Sequence, residues 1–563
     1  MPRPLRSTAV AVVTVSAALV LASCSSSGDS DGAAKKGKAP AADAQGLNPQ
    51  PASNVRQGGS LKLSVQQWIS QYNSYQVDGK NGDAQAILEE FEPVLMPRDA
   101  QGVAHPDPDY LVSAAVTSTS PQVVTYKLNP KAKWSDGKPL SYRDFAAIWK
   151  ALRGTDDRYL VADSSGYNQI SGVTRGANDQ EVKVTFDKTY ADWQALFRPL
   201  LPADQMDTPD KFNKGWSEKI PVTAGPWKLK ALDKTAQTVT TVPDPAWWGT
   251  KPKLDSITWR AMAIPAQTEA YLNKEIDYTP AILPEDYKRL VKAPGTEIRT
   301  GARWDEVHIT LGNHGLLKDL KLRQAVDLAV DRKGIIAAFS KDLNVPVPPL
   351  DNHFFMPNQK GYQANAGKWG TYDLEGAKKL LTEAGWKDNG AGKPRTKDGK
   401  PLALQYLISA GSSTSSVDQA QIVQQQLGQA GIKVTIQKVA ESDFFDKFIN
   451  RGNFDLTSFR NVDEIFRSLL FPVFQQTKGS QLYQNFGGIG SPEIDKLMTQ
   501  AGQSTDPDTS NALYNQADKL IWAEGHSIEL YQRPQIQAVR EGLANFGPPG
   551  LGDWNFVKMG WQK

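Results

Sequence analysis

Val123-Val124-Thr125-Tyr126-Lys127-Leu128, then Lys133-Trp134-Ser135-Asp136-Gly137-Lys138-Pro139-Leu140, then Tyr142-Arg143-Asp144-Phe145 sets a strand, a turn and a helix start side by side. Residues 123–128 have the two-residue period of a strand. Asp136-Gly137 with Pro139 is a turn signal, because Gly accepts positive φ and Pro fixes the backbone that follows. Trp134 reads as core. The same alternation continues in both directions along the chain. Gly59-Ser60-Leu61-Lys62-Leu63-Ser64-Val65 reads as a first strand, and Val182–Phe186 and Leu402–Ile408 as further strands. Lys321–Phe339 carries Leu322, Ala325, Val326, Ala329 and Val330 at helical spacing, and Leu374–Ala384 is a helix stopped by Gly385. Gln419–Ala430 predicts a helix ended by Gly431, with the strand Ile432–Ile436 directly after it. Strands alternating with helices predict α/β architecture.

The chain has 563 residues, 40% apolar and 22% charged, with 45 Gly and 36 Pro. That is an ordinary globular composition with length for more than one domain. Its mean hydropathy of -0.46 is too polar for a polytopic membrane protein. Lys plus Arg number 64 against 61 Asp plus Glu, so nothing in the charge favours nucleic acid, and no nucleic-acid partner is expected. The single cysteine, Cys24, excludes a disulfide framework, CxxC redox chemistry and Cys-cluster metal sites from the body of the protein.

Arg3 and Arg6 precede an apolar run from Ala9 to Leu21, and Leu21-Ala22-Ser23-Cys24 follows at once. This is an export leader, too short to span a bilayer. Leu-Ala-Ser-Cys resembles the bacterial lipobox, in which cleavage leaves Cys24 as an acylated first residue; stable anchoring takes two or more acyl chains. Residues 1–23 are then a lipoprotein signal peptide. From Ser25 to about Gln57 the chain is rich in Ser, Gly, Ala, Asp, Lys and Pro without apolar periodicity, so 24–57 is expected to be a disordered tether.

Catalytic constellations are missing. The five histidines, His105, His308, His314, His353 and His526, form no HExxH, and no GxSxG presents a nucleophilic Ser. His308, in Val307-His308-Ile309, reads as a satisfied core position, and His105-Pro106-Asp107-Pro108-Asp109 as a turn. Gly390 and Gly392-Lys393 lack the first Gly and the Ser/Thr of a phosphate loop, and no GxGxxG occurs in its strand–turn–helix context. No enzymatic activity, cofactor or metal is expected.

The opening stretch, from Val124 to Phe145, resembles the signature of the family 5 extracellular solute-binding proteins, the dipeptide- and oligopeptide-binding components of ABC importers. Five further blocks agree in the family's order: Thr223-Ala224-Gly225-Pro226-Trp227; Trp247-Trp248-Gly249 before Lys251-Pro252-Lys253-Leu254-Asp255; Asn273-Lys274-Glu275-Ile276-Asp277; Leu322-Arg323-Gln324-Ala325 through Asp331-Arg332; and Tyr372-Asp373-Leu374 through Ala384-Gly385-Trp386. Arg323, Asp331 and Arg332 read as ion-pairing residues on and beside their helix.

The resemblance implies a two-lobed periplasmic-binding-protein-like α/β fold with a hinge and an extra domain on the N-terminal lobe. On that template domain I takes 58–78, 200–305 and 525–563, domain II 79–199, and domain III 306–524, with the hinge near 305 and 525. Ligand would lie between the lobes. Gln67, Trp68, Tyr72, Asn73 and Tyr75, just after the first strand, are suited either to walling a pocket or to packing a hinge. Phe454 to Asp463 matches the strand that enters the family's cleft. There Arg460 suits a carboxylate or phosphate ligand or a solvated rim, Asn461 follows it, and Asp463 lies near the place of an acidic residue that receives a peptide's α-ammonium. The family's Gly-Trp pair is absent from this strand and the register differs by about one residue.

The expected function is that of a monomeric, lipid-anchored protein on the outer face of the cell membrane, which captures an oligopeptide or related small solute and delivers it to ABC permease subunits. The alternative is a family-5-like lipoprotein without transport, acting in cell-envelope assembly through protein contacts.

Overall fold

The computed structural model describes residues 45–563 except 344, 346, 463–465, 478–481 and 483. Cys24, the leader, Asp463 and the first part of the tether lie outside the described residues. Among the described residues no helix is long and apolar enough to cross a membrane.

The stretch from Val123 to Phe145 folds as its pattern predicts. Gln122–Leu128 is a strand and Tyr142–Leu152 a helix. Between them Gly137 takes φ +88°, and Trp134 N–H donates to Lys138 O at 2.8 Å across the turn. Ser141 caps the helix. The Asp144 carboxylate accepts from Ser141 N at 2.8 Å, from Trp134 Nε1 at 3.3 Å and from Ala203 N at 2.8 Å, so one buried side chain ties turn, helix and a distant segment together. Ser135 and Thr223 exchange two hydrogen bonds, which join this block to Thr223–Trp227. These residues are scaffold, satisfying polar groups that would be expensive to bury alone.

Two four-stranded sheets share one apolar core. The first has strand order 60–65, 256–261, 238–243, 227–233, its first pair parallel. The second is antiparallel, in the order 111–119, 122–128, 181–186, 170–175. Leu61, Leu63, Trp227 and Trp259 from one sheet meet Val124, Tyr126, Val182 and Val184 from the other in the same cluster. The extra domain is thus fused to the N-terminal lobe through side-chain packing.

A seven-stranded mixed sheet belongs mainly to the second lobe. Its strands run 433–439, 403–409, 456–457, 296–311, 527–540 and 278–280 in order, and 460–462 also pairs with 296–311. Helices 320–329, 374–383 and 414–429 bury Leu322, Val326, Leu381, Val423 and Leu427 in a second core with Leu404, Tyr406, Ile309 and Ile528.

The long strands Thr296–Leu311 and Ser527–Arg540 run antiparallel from one lobe into the other. Val539 lies in the first core, whereas Ile309, Leu311, Ile528 and Leu530 lie in the second. Their ladder breaks between Ala302↔Pro534 and Glu306↔Gln532, leaving 303–305 opposite Arg533. The crossing on the C-terminal strand therefore falls at 532–534; Gly525, the position read from the template, instead ends helix 507–524 in a left-handed conformation.

Two expectations change. Residues 45–57, placed in the tether by composition, are held against the C-terminal segment: Gly46 N donates to Pro548 O at 2.9 Å, Gln50 N to Asn545 Oδ1 at 2.8 Å and Arg56 N to Trp561 O at 2.8 Å. Backbone pairing of this kind needs no apolar period. The stretch 321–339 is two helices, 320–329 and 332–340, interrupted where Val330 turns extended at ψ 112°. Arg323 and Arg332 form the expected ion pairs, with Glu524 at 3.7 Å and Asp351 at 2.6 Å, and also bind main chain: Arg323 Nε donates to Glu524 O, and Arg332 Nη1 to Leu350 O and Glu529 O. Both are buried, where a guanidinium's rigid fork suits carbonyl oxygens.

Candidate ligand-binding site

A cavity of about 490 Å³ opens between the lobes. Segment 74–98 and residues 162–199 wall it from the first lobe, Trp304 from the strand break, and Phe466 and Leu469 from the second lobe. A second cavity of about 530 Å³ on the first-lobe side shares Glu89, Glu92 and Arg98, which extends the space available to an elongated ligand.

The apolar part of the wall is aromatic and rigid. Tyr75 OH donates to Pro199 O at 2.6 Å, Tyr167 OH donates to Tyr75 OH at 3.3 Å, and Phe197 N donates to Tyr167 OH at 2.7 Å. The two tyrosine rings meet edge to face at 6.2 Å and 87°. Burial pushes the Tyr75 phenol well above its ordinary range, with Tyr167 adding to the effect, so it stays a neutral hydrogen-bonding group.

The charged part is unbalanced. Asp553 accepts from Arg98 N at 2.8 Å, Arg98 Nε at 3.0 Å and Arg198 Nη2 at 2.7 Å. Burial alone would raise its pKa, but the two guanidiniums outweigh burial and hold it at about 2. Glu89 is lifted to about 7, by burial first and by Asp553, against the pull of Arg198 and Arg98. Glu92, only 6% exposed, is lifted well above the carboxylate range by burial and by Glu89, and its Oε1 has no hydrogen-bond partner. With this cluster ionised, two guanidiniums face three carboxylates; Lys80 and Asp163, also on the wall, pair with each other at 3.6 Å. The wall is one positive charge short, and Glu92 is where the shortage falls.

The lobes also touch directly. Ala191 N donates to Gly502 O at 2.9 Å, Ser468 N donates to Asp192 Oδ2 at 2.9 Å, and Ser468 Oγ lies 3.4 Å from Tyr190 OH. The conformation is closed over the cavity.

The residues read from sequence are dispersed. Tyr75 lines the cavity. Tyr72 is fully buried in the first core, Trp68 is half-buried against that core, and Gln67 is exposed; these three line only a crevice of about 10 Å³ on the first lobe. Arg460 and Asn461 lie on the strand paired with the crossing strand, opposite Val307 and Glu306. The described chain resumes at Phe466, on the cavity wall. Glu89 and Glu92 were not singled out from sequence, although three acids within Glu89-Glu90-Phe91-Glu92-Pro93, after Ile87-Leu88, are an unusual charge density for a segment with a buried apolar pattern.

The model for bacterial extracellular solute-binding proteins, family 5, middle region, matches residues 105–472. This chain belongs to that family. It is 37% identical over 560 residues to the oligopeptide-binding protein OppA of Mycobacterium tuberculosis, covering 97% of this chain and 92% of that one. Among solved structures it superposes on the periplasmic EDTA-binding protein EppA with TM-score 0.80 and 26% identity, over 91% of this chain and 98% of that one. It superposes on the oligopeptide-binding protein AppA of Bacillus subtilis, in complex with a nonapeptide, with TM-score 0.70 and 22% identity, over 90% and 100%. The two lobes, the extra domain and the two crossing strands are the family's architecture, and the family is extracellular.

Proposed function

We propose that the protein binds an oligopeptide or peptide-like solute with a free amino terminus between its lobes and delivers it to an ABC permease. It acts as a monomer and a binding protein rather than an enzyme, held at the outer face of the membrane by lipid on Cys24, with domains I, II and III divided broadly as the family template divides them. The observation that carries the ligand class is the unpartnered, buried Glu92 in a wall short of one positive charge. An ammonium supplies that charge. A polyanion such as EDTA, for which EppA is named, would add repulsion at the same place, because Arg98 and Arg198 are already committed to Asp553. The 37% identity to a protein named for oligopeptide binding supports the same reading.

The test begins with mass spectrometry of material co-purified with the protein, followed by titration calorimetry of an identified peptide and its N-acetylated form. Truncating one partner of a buried charge pair costs about 2–5 kcal/mol, so Glu92→Gln should weaken the free-amine peptide by about 30-fold or more. Acetylation should cost the wild type a similar factor and the variant little. Additive losses would place the amine elsewhere, and the same cycle on Asp463→Ala then asks whether that carboxylate receives it.

A further inference from the structure

The crossing strand Thr296–Leu311 has a second chemistry, on the opposite face from its core residues. Ile309 and Leu311 enter the second core, while Glu306, His308 and Thr310 alternate with them on the other side. On the neighbouring strand Glu529 pairs in register with His308, and Ser527 stands opposite Thr310. Glu306, His308 and Glu529 are 4%, 7% and 5% exposed. One ligand atom from each lies within 4.8 Å of the others. They line a cavity of about 50 Å³, enough for an ion and a water.

The surrounding bonds orient these groups as ligands. His308 Nε2 lies 2.9 Å from Thr310 Oγ1, so a proton there leaves the Nδ1 lone pair facing Glu306, whose oxygens are 2.8 and 3.0 Å away. His353, fully buried, enters the same cavity from another segment. Its Nδ1 lies 2.6 Å from Asp518 Oδ1, while Nε2 has no hydrogen-bond partner and sits 3.5 Å from Glu529 Oε1. A carboxylate behind one ring nitrogen and a bare second nitrogen aimed at the cavity is the arrangement that fixes a metal-binding imidazole. Two carboxylates this close in a dry site must share either a proton or a cation.

We propose that Glu306, His308 and Glu529, with His353 as fourth ligand, bind one divalent transition cation, zinc foremost. Two imidazoles and two carboxylates form a four-coordinate N and O set suited to zinc. Ligand atoms around zinc stand about 3.4 Å apart at bonds of about 2.1 Å; those of Glu306, His308 and Glu529 lie within 4.8 Å of one another, and His353 Nε2 is 3.5 Å from Glu529 Oε1. The ion would pin the crossing strands to the body of the second lobe, beside the break that lets the lobes move. The inference is independent of what binds between the lobes.

The experiment uses the full chain without its leader, dialysed against a chelator and then against buffer, with no peptide added. Zinc chloride is titrated by calorimetry and bound metal is counted by mass spectrometry. The wild type should take one zinc per chain with a Kd of about 1 µM or tighter. Thr310→Val keeps its shape and loses only the group behind His308, and should weaken binding by about 10-fold or more. His308→Gln and Glu529→Gln should each weaken it further. His105→Ala, at the exposed Asp99–His105 pair, should leave it unchanged. A wild type that takes up no zinc overturns the proposal without reference to any variant. Uptake lost in His105→Ala and kept in Thr310→Val and His308→Gln overturns it as well, and leaves the cluster as a proton-shared network.

Discussion

Asp192→Ala removes one of the contacts that join the lobes, the one made by a charged side chain. Asp192 Oδ2 accepts from Ser468 N at 2.9 Å, across the seam. A hydrogen bond to an ionised group contributes about 1.5–3 kcal/mol, and water recovers part of that at a half-buried position. Asp192 also acts on the buried Arg467 guanidinium from across the seam, so its removal leaves that charge less compensated. Together these place the loss at about 1–3 kcal/mol, all of it in the closed form, because the open form makes neither contact. Where closure is the minor state without ligand, apparent affinity scales with the closed fraction, so Kd should rise by about 5- to 150-fold. Titration calorimetry with the co-purified peptide reads the affinity, and small-angle scattering reads the radius of gyration with and without it. Asp192→Asn keeps an acceptor oxygen and should lose less. Affinity and ligand-free radius of gyration both matching the wild type would refute the latch, since a contact made only in the closed form cannot be removed without shifting that equilibrium.

Glu90 predicts a pH effect on stability that is separate from binding. It is fully buried, accepts from Thr241 Oγ1 at 2.6 Å and from Trp259 Nε1, and burial raises it from 4.5 to about 8 despite those bonds. The folded protein therefore holds a proton that the unfolded chain releases, so this contribution is complete below 4.5 and is lost as pH rises through about 8. Glu90→Gln should flatten the fall in melting temperature across that window, and an unchanged slope would show the carboxyl to be ionised in the fold. At the other end of the chain, Cys24→Ala should release the protein from membranes or block its processing while leaving the melting curve of the body intact. A variant that is processed normally and still sediments with membranes after a carbonate wash would exclude the lipid anchor.

Legibility in the sequence followed the range of the forces involved. The strand at 122–128, the capped helix after Ser141 and the helix–Gly–strand unit around Gly431 are set by neighbours a few residues apart, and the pattern announced all three. The break at Val330 was invisible to periodicity because apolar spacing continues through it, while Arg332 is drawn to carbonyls on segments 350–370 and 529. Residues 45–57 look like tether because their order comes from main-chain bonds to a segment some 500 residues away, the Gln50–Asn545 bond spanning 495 positions. The site shows the same limit. Tyr72 and Tyr75 are equivalent in composition, yet one fills a core and the other a cavity wall, and only the packing of segments 167–199 decides which. Glu92 was visible as a charge in an apolar segment, but its meaning depends on Asp553 taking both arginines, a partnership across more than 350 residues.

The break in the crossing strands explains why the cavity and the motion are joined. Three residues, 303–305, face Arg533 without pairing to that strand, and the ladder slips again between Val307 and His308, so the main-chain bonds that stiffen the strand pair are interrupted along this short stretch. Side chains hold the gap instead: Gln532 Nε2 donates to Arg303 O at 2.7 Å, Arg303 Nε donates to Asp305 at 3.0 Å, and Arg533 Nη1 lies 3.4 Å from the same carboxylate. Such contacts re-form at a slightly different angle more readily than a β-ladder does, which suits a hinge of few residues. Trp304 stands in the middle of this gap, its indole N–H donating to Leu551 O at 3.0 Å and its ring on the cavity wall. A ligand packed on that ring touches the hinge itself. In this conformation Phe466 and Leu469 of the second lobe share the wall with Trp304, and opening of the lobes would withdraw them from a ligand on that ring. The difference in contact between the two states is the differential affinity that a closing ligand must supply.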